Sequence, residues 1–182
     1  VGYVGAGTVE MLLDRSGEFY FLEMNTRLQV EHPVTELVWG VDLVEQQLRV
    51  ADGQPLALDQ DALHPRGHAM EVRLYAEDPG VGFLPQTGTV GVFEAASGPG
   101  VRMDAGIASG SEVGLHYDPL LAKLCAHGSD REQARQRLIG ALRDTVLLGV
   151  NTNQDWLRRV VAHEAFARGE VHTGFIERNM GA

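Results

Sequence analysis

From Glu23 to Glu31 polar and apolar residues alternate. Glu23, Asn25, Arg27, Gln29 and Glu31 stand at odd positions; Met24, Leu28 and Val30 lie between them, with Thr26 the exception. In an extended chain alternate side chains share a face. A strand here would therefore gather two carboxylates, two amides and a guanidinium on one side within about 30 Å. A solvated strand needs far fewer polar groups, and the pattern reads as a site. Upstream, Gly7–Asp14 and Glu18–Met24 are strand-like runs flanking Arg15-Ser16-Gly17-Glu18, which reads as a hairpin turn. A turn centred on Ser16-Gly17 sets Arg15 against Glu18 and, in the same register, Glu10 against Glu23. Opposed residues have Cβ atoms roughly 5 Å apart, and like charges there repel. A hard divalent cation between them makes the pairing favourable, since Mg2+ is held by one or two carboxylates with phosphate and water oxygens. The alternative is a one-residue bulge or a three-residue loop, either of which shifts the register.

Composition bounds the setting. At 182 residues, 44% hydrophobic and 22% charged, the chain can bury one good core or two small ones. Its 25 acidic and 15 basic side chains leave a formal charge of −10. That argues against nonspecific nucleic-acid binding but leaves room for a local cationic pocket. No apolar run approaches the roughly 20 residues of a membrane span, and no signal-peptide pattern is visible. The expectation is a cytoplasmic protein, or a mitochondrial-matrix one if eukaryotic, with neither nucleic acid nor membrane as partner. Cys125 is the only cysteine, which excludes a disulfide framework and a Cys-based zinc site. It sits in an apolar run and is expected in the core. The chain opens without Met and runs straight into a strand, and a lone hairpin needs more sheet to be stable. A piece of a longer protein is expected.

Further along, a short helix is expected over 33–38, opened by Pro33. A second follows, with Asp42 as N-cap, Glu45 at the capping-box position and Gly53 as its stop. The proline-bearing stretch from Gln54 to Pro65 is linker-like and places a boundary between residues 1–63 and 64–182. Beyond it lie strand candidates over 69–75, 88–94, 101–104, 112–115 and 120–126, with glycine-dense turns between them. Met70, Val72 and Leu74 alternate there against Glu71, Arg73 and Tyr75. Ser129 with Glu132 forms a capping box for a helix running to about Leu148, and Asn151–Asn153 can cap a last helix over 156–163. The fold class expected is α+β. The Val4–Gly7 turn is no phosphate loop, since neither Gly-Lys-Ser/Thr nor a helix follows it. The seven histidines show no paired ligand spacing.

Phe21-Leu22-Glu23-Met24-Asn25-Thr26-Arg27-Leu28-Gln29-Val30-Glu31-His32-Pro33-Val34-Thr35-Glu36 closely resembles the biotin carboxylase signature of the ATP-grasp superfamily. Gly5-Ala6-Gly7-Thr8-Val9-Glu10, Glu71-Val72-Arg73-Leu74-Tyr75-Ala76-Glu77-Asp78-Pro79, Phe83-Leu84-Pro85 and Tyr117-Asp118-Pro119 extend the likeness in the same order. The resemblance spans essentially the whole chain. It implies the C-terminal end of an ATP-grasp domain, an antiparallel sheet, followed by a biotin carboxylase C-terminal domain of antiparallel sheet plus helices.

By the same resemblance, Glu10 and Glu23 coordinate Mg2+ or Mn2+ on the ATP phosphates, with Asn25 helping a second ion. Leu12 and the region 171–175 border the adenine. Arg27, Gln29 and the backbone N–H of Val30 hold bicarbonate, Glu31 is the general base, and Arg73 stabilises the biotin enolate. Read from the residues alone, Arg27 could instead pair with Glu23 or Glu31, Glu31 with Arg27 or His32, and Arg73 with Glu71 or Glu77. The resemblance also implies biotin on a separate carrier, a biotin carboxyl carrier domain and a carboxyltransferase as partners, and a homo-oligomer. The family's lid, adenine hinge and phosphate-binding lysines correspond to sequence upstream of residue 1, so these residues alone are expected to be inactive. The Asn25-Thr26-Arg27-Leu28 form resembles acetyl-, propionyl- or methylcrotonyl-CoA-type carboxylases more than pyruvate carboxylase. A carbamoyl-phosphate synthetase-like or other ATP-grasp ligase, and a noncatalytic assembly module, are the rival readings.

Overall fold

The structure, a computed structural model, describes residues 1–181. It divides into two compact units, Val1–Arg66 and the chain from Gly67 onward.

The first unit opens with the hairpin β1 (Thr8–Leu13) and β2 (Phe19–Asn25), paired antiparallel. Glu10 lies opposite Glu23, as the sequence predicts, but by another route. Leu13 pairs with Phe19 and Met11 with Phe21, a register one step off that set by a turn centred on Ser16-Gly17. The connection is Arg15-Ser16-Gly17, a three-residue loop. It is closed by Asp14 N–H donating to the Glu18 carbonyl at 2.9 Å and by Gly17, whose φ of 90° suits glycine. A bulge between Glu10 and Met11 on one strand and Phe21 and Glu23 on the other then leaves Leu22 unpaired and restores the carboxylates to opposition. The loop and the bulge are the two departures that each shift the register alone; together they cancel.

The extended reading through Glu31 does not survive. β2 stops at Asn25 and residues 26–31 turn, with His32 N–H bonding the Gln29 carbonyl at 3.3 Å and Val34 N–H the Glu31 carbonyl at 3.1 Å. Glu31 thereby becomes the N-cap of α1 (His32–Trp39), which carries Pro33 in its first turn and ends at Gly40 in the left-handed region. In α2 (Leu43–Ala51) the Asp42 carboxylate accepts from Glu45 N–H at 2.8 Å, as expected of an N-cap. The Glu45 side chain turns instead to Arg49, at 2.6 Å.

The second unit is built on a three-stranded antiparallel sheet: β3 (His68–Tyr75), then, after β4 (Glu77–Asp78), β5 (Leu84–Pro85), β6 (Gly88–Thr89) and β7 (Val92–Glu94), the strands β8 (Val101–Ala105), β9 (Glu112–Val113) and β10 (Leu120–Gly128). β10 lies centrally between β3 and β8; β4–β5, β6–β9 and β7–β11 (Val146–Leu148) form two-stranded pairs. The strand expected over 88–94 is thus two, split at Val90-Gly91. Gly91 N–H leaves to the Leu148 carbonyl at 2.7 Å, and Val90 is fully buried in a second small core with Ala76, Leu121, Leu147 and Val150.

Helix α3 (Arg131–Asp144) packs on one face of the sheet. Leu138, Ala141 and Leu142 meet Val72, Leu74, Ala122 and Leu124 there, and Leu74 and Leu124 are wholly buried. Its N-cap is Asp130, which accepts from Gln133 N–H, one residue beyond the expected Ser129. It ends at Asp144, short of Leu148, because Val146–Leu148 pairs with β7. Helices α4 (Gln154–Ala162), α5 (Glu164–Ala167) and α6 (Phe175–Asn179) finish the unit, with Phe175 buried beside Val160 and Ala165.

Candidate active site

In the first unit the polar residues of the signature form one connected group. The Asn25 amide bridges the opposed carboxylates: its Nδ2 donates to Glu10 Oε1 at 2.7 Å and to Glu23 Oε1 at 3.2 Å. Arg27 Nη2 reaches Asn25 Oδ1 at 3.4 Å, while its Nη1 meets Gln29 Oε1 and the Leu28 carbonyl at 3.3 Å. These Arg27 contacts are long, and the side chain is exposed. The guanidinium is oriented by its neighbours yet keeps a fork to offer a planar anion. A cavity of about 380 Å³ opens against this group, lined by Gly7, Thr8, Arg27, Gln29, Glu31 and His32 among others.

Glu10 and Glu23 suit a hard divalent ion. Two like carboxylates held across a hairpin repel unless charge is supplied, and among the described residues the group bonded to both is a neutral amide. Rotating that amide would offer an oxygen to the same position. Among the described residues no three His, Cys, Asp or Glu gather as a metal cage. The pair would therefore hold Mg2+ or Mn2+ together with ligand phosphates rather than enclose it. Val30 is half-buried in the turn; Leu12 is exposed on β1, paired with Tyr20, and does not line the cavity.

Sequence reasoning missed the anchor beneath this cradle. The His32 ring Nδ1 donates to the Gln29 carbonyl at 2.9 Å, and its Nε2 lies 3.9 Å from Glu36, which is buried and accepts from Leu43 N–H at 2.8 Å. The 29–32 turn is thus tied to α1 and to the start of α2. The spacing of His32 and Glu36, one helical turn apart, was the available signal.

In the second unit Arg73 is half-buried on β3, directly across from Lys123 of β10, which in turn faces Asp104 of β8. Val72 and Leu74 face the α3 core, so Arg73 and Glu71 share the opposite, charged face. Burial drives the Asp104 carboxyl upward, but Arg102 at 2.8 Å and Lys123 at 3.4 Å outweigh it and hold the group below the ordinary range. Cys125 is fully buried, as expected, with its thiol 3.3 Å from Glu71. Burial first, and the Glu71 charge second, push that thiol far up, so it is no nucleophile at neutral pH.

Comparison with known proteins agrees with this architecture. Residues 71–178 match the biotin carboxylase C-terminal domain family, and residues 1–59 the carbamoyl-phosphate synthase L chain ATP-binding domain. The chain belongs to the biotin carboxylase family, its first unit the end of an ATP-grasp domain. It is 49% identical over 181 residues to the mitochondrial methylcrotonoyl-CoA carboxylase subunit alpha of Arabidopsis thaliana, covering 98% of this chain and 25% of that protein. Against biotin carboxylase of Allochromatium vinosum the identity is 46% over 181 residues, 100% of this chain and 40% of the relative. The chain thus spans between a quarter and two-fifths of the length of these relatives. Among solved structures, the biotin carboxylase domain dimer of Hydrogenobacter thermophilus 2-oxoglutarate carboxylase, in complex with MgADP, ADP and bicarbonate, superposes with a TM-score of 0.93. Its identity is 39%, and the match covers 97% of this chain and 39% of that one. A complete pyruvate carboxylase from Rhizobium etli gives 0.90 and 39%, covering 97% and 18%. Among the described residues no helix is long and apolar enough to cross a membrane.

Proposed function

We propose that this chain is the metal-, bicarbonate- and biotin-binding part of a biotin carboxylase, within an acetyl-, propionyl- or methylcrotonyl-CoA-type carboxylase. Residues 1–63 would close the ATP-grasp domain and 64–182 form the C-terminal domain. The observation that carries the reading is the joined group of Glu10, Glu23, Asn25 and Arg27 beside a cavity lined by Arg27, Gln29 and Glu31.

In this reading Arg27, with the Gln29 amide and the Val30 N–H, orients bicarbonate. Glu31 takes its proton, and the bicarbonate oxygen attacks the γ-phosphorus of ATP, giving carboxyphosphate and ADP. Glu10, Glu23 and Asn25 would hold Mg2+ or Mn2+; once bound, the ion neutralises charge on the phosphate oxygens. Leu12 would border the nucleotide. Carboxyphosphate yields CO2 and phosphate, the released phosphate takes the ureido N–H proton of biotin, and Arg73, a fixed cation where negative charge develops, stabilises the resulting enolate that CO2 carboxylates. The partners are a biotin carboxyl carrier domain and a carboxyltransferase, and the assembled enzyme is a homo-oligomer, in line with the Hydrogenobacter biotin carboxylase domain dimer. The compartment is the cytoplasm, or the mitochondrial matrix in a eukaryote. The methylcrotonoyl-CoA relatives favour that acceptor class.

In the full-length protein, Glu31→Gln should lower bicarbonate-dependent ATP cleavage by about 100-fold or more. Normal turnover in that variant would favour a noncatalytic module built on the same fold.

A further inference from the structure

We propose that Asn153 is a positioning residue for Arg73, acting through the backbone of β3; the proposal rests on the role given to Arg73 above. Among the described strands β3 is an outer one of its sheet, with β10 as its neighbour on one side. On the other side, where a further strand would run, Asn153 takes the place of a strand partner. Its Oδ1 accepts from Tyr75 N–H at 3.0 Å, its Nδ2 donates to the Arg73 carbonyl at 3.2 Å, and its own N–H donates to the Tyr75 carbonyl at 3.2 Å. The amide orientation follows from its partners, since an N–H faces the oxygen and a C=O faces the nitrogen.

These three bonds tie down the two ends of the three-residue segment Arg73–Tyr75. Asn153 is buried, at 5% exposure, so water does not compete for them. The cost is visible locally. Asn153 stands at the N-cap of α4 but makes no side-chain cap bond there; its side chain is committed to the strand instead. Without the brace, the Arg73–Tyr75 backbone loses its three bonds to Asn153 on the side away from β10, and the guanidinium loses the fixed placement that charge stabilisation requires.

The test uses the full-length enzyme with free biotin, measuring biotin carboxylation and biotin-independent, bicarbonate-dependent ATP cleavage side by side. Asn153→Ala should lower biotin carboxylation about tenfold or more while ATP cleavage stays within about twofold. In an Arg73→Ala background the same substitution should lower carboxylation no further, because the residue it positions is gone. Asn153→Asp keeps the acceptor for Tyr75 and loses the donor to Arg73, so it should show the same split if the alanine variant folds poorly. Equal loss of both activities in each variant, or an undiminished Asn153→Ala effect without Arg73, would overturn the proposal. If Arg73→Ala alone leaves carboxylation intact, the reading beneath it falls as well.

Discussion

Glu10 and Glu23 face one another with an amide between them, and their electrostatics define the residue scale. If the pair holds an ion, Glu10→Gln and Glu23→Gln in the full-length protein should each raise the Mg2+ or Mn2+ concentration for half-maximal ATPase about tenfold or more. Unchanged metal titrations in both would remove the metal assignment. A second acid gives a prediction of opposite kind. Burial first, and the nearby Asp118 charge second, raise the Glu77 carboxyl above its ordinary range. Folding therefore favours the protonated form: the contribution to stability is whole below the ordinary carboxylate range and is lost as pH rises through the raised value. Glu77→Gln should accordingly raise the thermal midpoint near pH 7 and change it little near about pH 3. A larger gain at the acidic end would contradict the stated cause. Residue identities at the site were the most legible part of the sequence, because the signature packs them into one short segment. Their geometry was less so. The extended alternation breaks at Asn25, yet Arg27 and Gln29 still meet because the turn brings them together.

At the scale of elements, caps and cores carry different weights. Leu138 is buried to 1% exposure between α3 and the sheet, so Leu138→Ala should cost about 2–5 kcal/mol. Asp42→Ala, which removes only the α2 cap bond, should cost about 1 kcal/mol. Denaturant midpoints distinguish the two, and equal costs would argue that α3 is not the keystone of its core. The long elements were readable because β3 alternates and α2 and α3 repeat with helical spacing. Asp130 took the cap predicted for Ser129, since Asp130 and Gln133 have the same spacing one residue on. The 145–148 stretch followed the helical pattern in sequence but became β11, a choice made by pairing with the distant β7. Asn153 looked like a helix cap because its decisive partners, Arg73 and Tyr75, lie far away in sequence. Helices α5 and α6, at four and five residues, are too short for periodicity to declare.

For the whole molecule, the proposed roles fall in both units. The first holds the carboxylate pair with Asn25, Arg27 and Gln29, for which metal and anion binding are proposed; the second holds Arg73 on an outer strand bonded by Asn153. Sheet order was the feature least available to sequence reading, because β10 lies between strands that precede it by long intervals and no local pattern records that. Membership of the family was legible throughout, since motif blocks occur in order from Gly5 to Pro119. The proposed function requires the first unit to activate bicarbonate for transfer to biotin. The most direct measurement is bicarbonate-dependent ATP cleavage by the full-length protein, with and without free biotin, together with carboxybiotin formed from labelled bicarbonate. Biotin should stimulate cleavage, and label should accumulate on biotin. Cleavage indifferent to biotin, with no labelled carboxybiotin, would contradict that function and point to a carbamoyl-phosphate synthetase-like or other ATP-grasp ligase.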